Sequence, residues 1–201
     1  MKQKNRTIEF YEKNATKFFQ DTKDAPFTDV QDRFLNKLQT GTTILDYGCG
    51  SGRDTKYFLE NGYHVDAIDG SGELCRIASK NTGLNVRQML FSELDDEDRY
   101  DGIWACASIL HLSKEELKDV FEKMIRATKN GGYIYTSFKY GDFEGNRGER
   151  YYTDFTEESF NAFLEDLKEI ELEECWVSMD VRPDRENERW LNLILRKSDT
   201  V

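Results

Sequence analysis

The chain has 201 residues, 38% hydrophobic and 33% charged, enough for one domain with a real core but not for two. Its 28 basic and 39 acidic side chains leave a formal charge of −11, which repels a phosphate backbone, argues against nucleic acid and favours a small-molecule substrate. No apolar run approaches the roughly 18–20 residues of a membrane span, the polar start leads into no signal-peptide core, and four scattered cysteines without a CxxC pair offer no disulfide framework and no metal site, as a reducing cytoplasm would have it.

The first 40 residues read as helical. From about Thr7 to Phe19, Ile8, Tyr11, Ala15, Phe18 and Phe19 recur at helical spacing. A second helix opens on the capping-box pattern Thr28-Asp-Val-Gln31, and Val30, Phe34, Leu35 and Leu38 share its apolar face. These helices form a cap, residues 1–40, over one unit spanning 41–201. From Thr43 short apolar runs alternate with amphipathic helices. The strands are Thr43–Tyr47, His64–Asp69, Asn85–Leu90, Tyr100–Ala105, Tyr133–Phe138, Glu169–Val181 and Trp190–Arg196; the helices lie at about 53–61, 71–81, 113–129 and 156–167. Glycines follow three of them, at Asn61-Gly62, Thr82-Gly83 and Asn130-Gly131. Ser113-Lys-Glu-Glu116 is a second capping box, ahead of Leu117, Val120, Phe121, Met124 and Ile125 on one face. Such alternation predicts an α/β fold: a doubly wound, mostly parallel sheet with its ligand at the carboxyl ends of the strands. The last two strands have no helix between them, so an antiparallel hairpin at the sheet edge is expected.

The strongest motif is Ile44-Leu-Asp46-Tyr-Gly48-Cys49-Gly50-Ser51-Gly52-Arg53-Asp54. A strand runs into three alternating glycines, where a backbone can approach a ligand without a Cβ clash, and the helix behind them presents unpaired N–H groups. A dinucleotide loop follows GxGxxG or GxGxxA, and Arg53 stands where its last small residue belongs. Asp46 has no role in that pattern, but an acid there can orient an ammonium group. Asp69 ends the second strand, where a carboxylate can accept both hydroxyl hydrogens of a ribose. Glycine loop and strand-end acid together specify an adenosine-bearing cofactor, and Asp46 with Arg53 tips it toward S-adenosylmethionine.

Residues 43–138 resemble the core of the class I S-adenosylmethionine-dependent methyltransferases. ILDYGCGSGRD is similar to the family's nucleotide loop, YDGIWACASILHLSKEEL to its fourth strand and following loop, and NGGYIYTSFK to the glycine pair before strand five. Phe10-Tyr11-Glu-Lys-Asn14-Ala15 resembles the helix that caps the cofactor in small-molecule members, including tellurite-resistance-like methyltransferases. The resemblance implies a Rossmann-like, seven-stranded sheet with one late antiparallel strand and helices capping the site. It implies S-adenosyl-L-methionine as cofactor and S-adenosyl-L-homocysteine as product. Gly48, Cys49, Gly50, Ser51 and Gly52 then border the methionine part, with Arg53 and Asp54 at its carboxylate end. Asp69 binds the ribose, Gly70 and Ser71 lie against adenosine, and Ala105 and Cys106 face the transferring methyl. Where many members carry an acid against adenine, this chain has Gln88-Met89-Leu90-Phe91, which leaves backbone groups of Leu90 and Phe91.

His111, after the fourth strand, is the candidate general base, since its unperturbed pKa lies near 6.5; the plainer reading is a packing residue. Tyr11 stands between cofactor contact and core. The segment from Gly141 to Tyr152, with Arg147 and Arg150, is either a loop that closes over the acceptor or solvated surface. Arg182, Arg185 and Arg189 read as surface pairs with Asp180, Asp184, Glu186 and Glu188, with recognition of an anionic acceptor as the alternative. Cys49 and Cys106 fit small packing residues better than nucleophiles. A small-molecule methyltransferase leads; its rivals are a methyltransferase of tRNA or protein, a catalytically silent S-adenosylmethionine-binding module and a dinucleotide oxidoreductase. The oligomeric state is left open.

Overall fold

A computed structural model describes residues 2–182, 185 and 187–199, and the side chains from residue 6 onward. Asp184 and Glu186, expected as partners of the nearby arginines, lie outside the described residues. The elements in order are α1 (Lys2–Thr22), α2 (Thr28–Leu35), β1 (Thr43–Tyr47), α3 (Arg53–Glu60), β2 (His64–Asp69), α4 (Gly72–Thr82), β3 (Arg87–Gln88), β4 (Tyr100–Ala105), α5 (Lys114–Ala127), β5 (Thr128–Lys139), β6 (Glu144–Arg147), β7 (Arg150–Thr153), α6 (Glu157–Leu164), β8 (Ile170–Met179) and β9 (Arg189–Lys197). Seven strands form one sheet in the order β3-β2-β1-β4-β5-β9-β8. The ladders from β3 to β5 are parallel, and β9 runs antiparallel to both β5 and β8. The expected sheet, with its late antiparallel strand and edge hairpin, is thus the observed one.

Alternation along the central strands sends successive residues to opposite faces, which is why both faces are apolar. Ile44, Trp104, Tyr135 and Ile194 face one way and pack with Phe34 and Leu35 of α2 and Phe58 of α3. Leu45, Ile103, Ile134 and Leu195 face the other way and pack with Leu117, Val120, Phe121 and Met124 of α5 and Phe160 of α6. The first helix, α1, lies over the carboxyl ends of the strands. The second helix packs against the sheet: a Cβ on Gly102 of β4 would stand 2.7 Å from the Phe34 ring.

Several local expectations shift. The Thr28–Gln31 capping box does not form: Thr28 already lies inside α2 behind Phe27, which gives no side-chain cap, and the Gln31 amide instead donates to Asp54 Oδ1 at 2.7 Å. The Ser113–Glu116 box does form. Gly131 is not a helix cap, because α5 stops at Ala127 and Thr128 already pairs with Tyr100; residues 129–132 make the irregularity between that pair and the next, Gly102 with Tyr133. The third strand shrinks to Arg87–Gln88, since the Leu90 N–H turns to the Glu93 carboxylate at 2.7 Å and starts a 3₁₀ turn. The segment read as loop or lid, 141–152, contains most of a two-stranded hairpin, β6–β7, with Gly148 at φ 64 in its turn.

Candidate active site

A cavity of about 400 Å³ opens at the carboxyl ends of β1, β2, β4 and β5, beneath α1. It is lined by Tyr11, Gly48, Cys49, Gly50, Ser51, Arg53, Asp54, Asp69, Gly70, Ser71, Leu90, Phe91, Cys106 and His111, so most of the expected site residues meet there. Asp46, Gly52 and Ala105 do not border it.

The floor is made by the loop after β1. The N–H groups of Gly48 and Cys49 both reach the Ile68 carbonyl, at 3.0 and 2.9 Å, which ties the loop to the end of β2. Gly48 sits at φ 86, and a Cβ there would stand 2.5 Å from the Ser108 Cβ, so only glycine admits this close approach. Gly52 serves the scaffold instead: at φ 77 it precedes α3, and its Cα faces Thr82 and Ala78 of α4 at distances that exclude a side chain.

Asp69 closes one end. Its Oδ2 accepts the Gly50 N–H at 2.9 Å and its Oδ1 the Ser71 N–H at 2.8 Å, so each oxygen keeps a lone pair for a second donor. Burial raises its pKa to about 6, and the N–H groups of Ser71 and Gly50 work against that rise. Ser71 caps α4 by accepting from the Leu74 N–H, while its hydroxyl donates to Glu12 of α1 at 2.5 Å. Ile8 and Leu90 flank Gly70, leaving a slot with apolar walls.

Asp46 departs from its expected position. It is 2% exposed, and its Oδ2 accepts the Thr55 hydroxyl at 2.5 Å beneath the loop. Burial, with the nearby Asp54 charge second, raises its pKa to about 8. Asp46 thus points to α3 behind the cavity wall, and its carboxyl does not touch an ammonium group in the cavity directly. Asp54 is committed as well: it accepts from Gln31, from two nitrogens of Arg53 and from the Trp104 indole.

His111 sits under α1. Its Nδ1 lies 2.6 Å from the Tyr151 carbonyl oxygen and must donate to it, so in the neutral ring Nε2 is the acceptor. Tyr11 supplies the donor, with its hydroxyl 2.8 Å from Nε2. Burial lowers the His111 pKa to about 4, and Arg150 adds to the fall, so the ring is neutral at physiological pH. Arg150 Nη1 donates to the Tyr11 oxygen at 3.2 Å, completing a chain from guanidinium to phenol to imidazole to main chain.

Sequence reasoning left Glu12, Phe18, Lys139, Trp190 and Asn192 out of the site. The last four line the cavity. On α1, Ile8, Tyr11 and Phe18 follow helical spacing and all border it, so the apolar stripe of this helix is the roof of the cavity. The basic groups on the wall are mostly paired: Lys17 with Asp21, Arg53 with Asp54, Lys139 and Arg182 with Asp180, and Arg185 with Glu188. Burial pushes the Asp180 carboxyl up, but bonds from the Arg182 side chain and N–H and from Trp190 outweigh it and hold the group well below the usual range. Arg182 and Arg185 thus make the ion pairs expected of them, on the cavity wall, whereas Arg189 stacks on the Tyr140 ring at 4.3 Å.

Residues 44–132 match the family model described as a methyltransferase domain. An uncharacterized methyltransferase of Staphylococcus carnosus is 24% identical over 148 residues, covering 68% of this chain and 72% of that protein. A probable S-adenosyl-L-methionine-dependent methyltransferase of Haemophilus influenzae, TehB, is 26% identical over 102 residues, 48% of this chain but only 36% of that protein. Among solved structures, the Burkholderia thailandensis 1,6-didemethyltoxoflavin-N1-methyltransferase, crystallised with 1,6-didemethyltoxoflavin and S-adenosylhomocysteine, superposes with a TM-score of 0.76 at 23% identity, covering 97% of this chain and 88% of that one.

Proposed function

We propose that the chain is a class I S-adenosylmethionine-dependent methyltransferase and that it methylates a small molecule inside the cavity beneath α1. The roof carries this reading. Along its length α1 is bonded down by Tyr11 to His111, by Glu12 to Ser71, by Thr22 to Ser51 and by Thr7 to the Tyr151 N–H. A chamber bridged at four places suits a ligand that enters whole rather than a segment of polymer. The net charge of −11 supports the same choice against RNA, as does the small heterocycle bound by the Burkholderia enzyme. No helix among the described residues is long and apolar enough to cross a membrane. Four free thiols, two of them buried, favour a reducing compartment such as the cytoplasm.

S-adenosylmethionine, when bound, supplies an electrophilic methyl group on a sulfonium centre. The residues present fit it. Asp69 has two acceptor positions free for a ribose diol, and the slot beside Gly70, Ser71, Leu90 and Phe91 takes a flat base. The loop from Gly48 to Ser51, with Arg53, Tyr11 and Cys106, is left for the amino-acid part. Methyl transfer is an in-line displacement, so holding the acceptor in line supplies much of the acceleration. A proton leaving an N–H or O–H acceptor does not reach His111 directly, because Tyr11 occupies Nε2. It passes to the Tyr11 oxygen while the phenolic proton moves to Nε2, with Nδ1–H held on the Tyr151 carbonyl. An acceptor that arrives as an anion needs no such relay.

The test is release of S-adenosylhomocysteine from S-adenosylmethionine across a panel of small acceptors and a total tRNA sample. Turnover with a metabolite and none with tRNA is expected; tRNA-dependent turnover alone would overturn the proposal. With a protonated acceptor, the His111→Ala variant should lose roughly 10²–10⁴-fold in turnover. Full activity there would reduce His111 to packing.

A further inference from the structure

Building on the proposed methyltransferase reading, we propose that the acceptor carries an oxyanion group, a carboxylate or a phosphate, and that Arg150 holds it. Arg150 opens β7 and projects into the cavity. It differs from every other basic side chain on the wall, each of which is matched by a carboxylate within 4.0 Å. Among the described residues no carboxylate lies that close to Arg150. Its recorded polar contact is the Tyr11 hydroxyl at 3.2 Å, and a neutral phenol takes one of five N–H donors and none of the charge.

The rest of its surroundings is aromatic. The guanidinium carbon lies 4.6 Å from the centre of the Phe10 ring, 5.3 Å from Tyr152 and 5.7 Å from Tyr11. Ring faces hold a guanidinium in place without satisfying its in-plane donors. A half-buried cation so fixed, with no counter-ion among the described residues, presents a fork that matches a carboxylate or phosphate in two-point contact. Acidic side chains outnumber basic ones by eleven in the chain, yet none of the described carboxylates pairs with this guanidinium. The same rings give an aromatic body something to lie against.

Two acidic aryl probes and one neutral probe separate the possibilities. Benzoate, phenyl phosphate and benzamide are titrated calorimetrically onto the free protein and onto protein loaded with S-adenosylhomocysteine. At least one anion should bind roughly tenfold or more tightly than benzamide, the range expected for hydrogen bonds to a charged group; which anion does so tells carboxylate from phosphate. Arg150→Met should abolish that preference and leave S-adenosylhomocysteine affinity within about twofold, while Arg150→Lys, which keeps the charge, should retain part of it. Equal binding of all three probes, binding of none, or a preference that survives Arg150→Met overturns the anion site. A large loss of S-adenosylhomocysteine affinity in Arg150→Met would also overturn it, by giving Arg150 to the cofactor. Anion binding that depends on Arg150 in a wild-type protein unable to bind S-adenosylhomocysteine would sink the methyltransferase reading and leave this one standing.

Discussion

The two ends of the cavity are built differently. At one end the Asp69 carboxylate accepts backbone N–H groups from Gly50 and Ser71, so its side-chain partners lie within 19 residues of it. At the other end Arg150 meets rings from Phe10, Tyr11 and Tyr152, and His111 reaches Tyr11 on one side and Tyr151 on the other. One end is a local construction of main-chain donors on two adjacent parallel strands. The other exists only after segments more than 100 residues apart have come together. Among the described residues each end holds one charge without an ionic partner, a carboxylate at the local end and a guanidinium at the assembled end. The local end thus suits a cofactor shared by many relatives, and the assembled end an acceptor that differs among them.

The largest expected effect strikes the local end. Replacing Asp69 with alanine removes both acceptors for a diol and leaves the N–H groups of Gly50 and Ser71 without their partner. Loss of hydrogen bonds to a charged group costs about 1.5–3 kcal/mol, so S-adenosylhomocysteine should bind roughly 10- to 150-fold more weakly by calorimetry. The preference of Arg150 for an anion should persist in that variant. If it disappears as well, the two ends are one unit and the contrast fails.

The contrast also accounts for what could be read from the chain alone. Strand–helix alternation, the edge hairpin and the glycine-loop end follow from short-range signals: glycines spaced by two after an apolar strand, an acid closing the next strand, helical spacing in between. The late antiparallel strand came from the family resemblance, and the strand order came only with the structure. Asp46 misled for a physical reason. Its place in the motif is as expected, but the strand turns it under the loop toward Thr55, and burial raises its pKa. The β6–β7 hairpin left little trace. Glu144-Gly-Asn-Arg147 is polar and mostly exposed, has no apolar alternation, and turns through Gly148-Glu149 rather than an Asn-Gly or Asp-Gly pair. Gln31 was read as a cap because the spacing fits one, whereas the stronger demand came from the buried Asp54 carboxylate. Arg150 was left between a loop closing over the acceptor and solvated surface, since no local pattern shows that its neighbours are rings.

An intermediate effect reports on His111 in the assembled end. Its pKa falls from an ordinary 6.5 to about 4 because burial disfavours the charged ring. Between those values the unfolded chain binds a proton that the native protein refuses, so this residue lowers stability as pH falls from 6.5 toward 4. The raised carboxyls of Asp46 and Asp69 act in the opposite sense over part of that range, and they are present in both proteins when wild type is compared with His111→Gln. That linkage amounts to about 3 kcal/mol at pH 4, so the melting temperature of the variant minus that of wild type should rise by about 6–12 °C as pH falls from 6.5 to 4, at about 2–4 °C per kcal/mol for a domain of this size. A difference flat with pH would mean that the ring is solvated or charged in the native state, and the Tyr11 bond to Nε2 would lose its basis.

The smallest effect is the sharpest probe of independence. Arg147 clamps Asp154 from within β6, with Nη1 2.8 Å from Oδ1 and Nη2 2.5 Å from Oδ2, and it covers the rings of Phe143 and Tyr152. The Asp154 side chain is 4% exposed and that of Arg147 41%, so Arg147→Met leaves a buried carboxylate without its partner while water reaches the vacated side. Solvent screening on the arginine side holds the expected cost to about 1 kcal/mol. Amide exchange should quicken across β6 and β7, at Gly145, Tyr151 and Tyr152 in particular, because the hairpin pairs only with itself. Anion binding at Arg150 should weaken with it, since Arg150 is the first residue of β7, whereas S-adenosylhomocysteine affinity should stay within about twofold for a change that touches none of its contacts. If cofactor affinity fell together with hairpin protection, α1 would be the carrier, since it is bonded both to the hairpin through Thr7 and to α4 through Glu12, and the two ends would close as one.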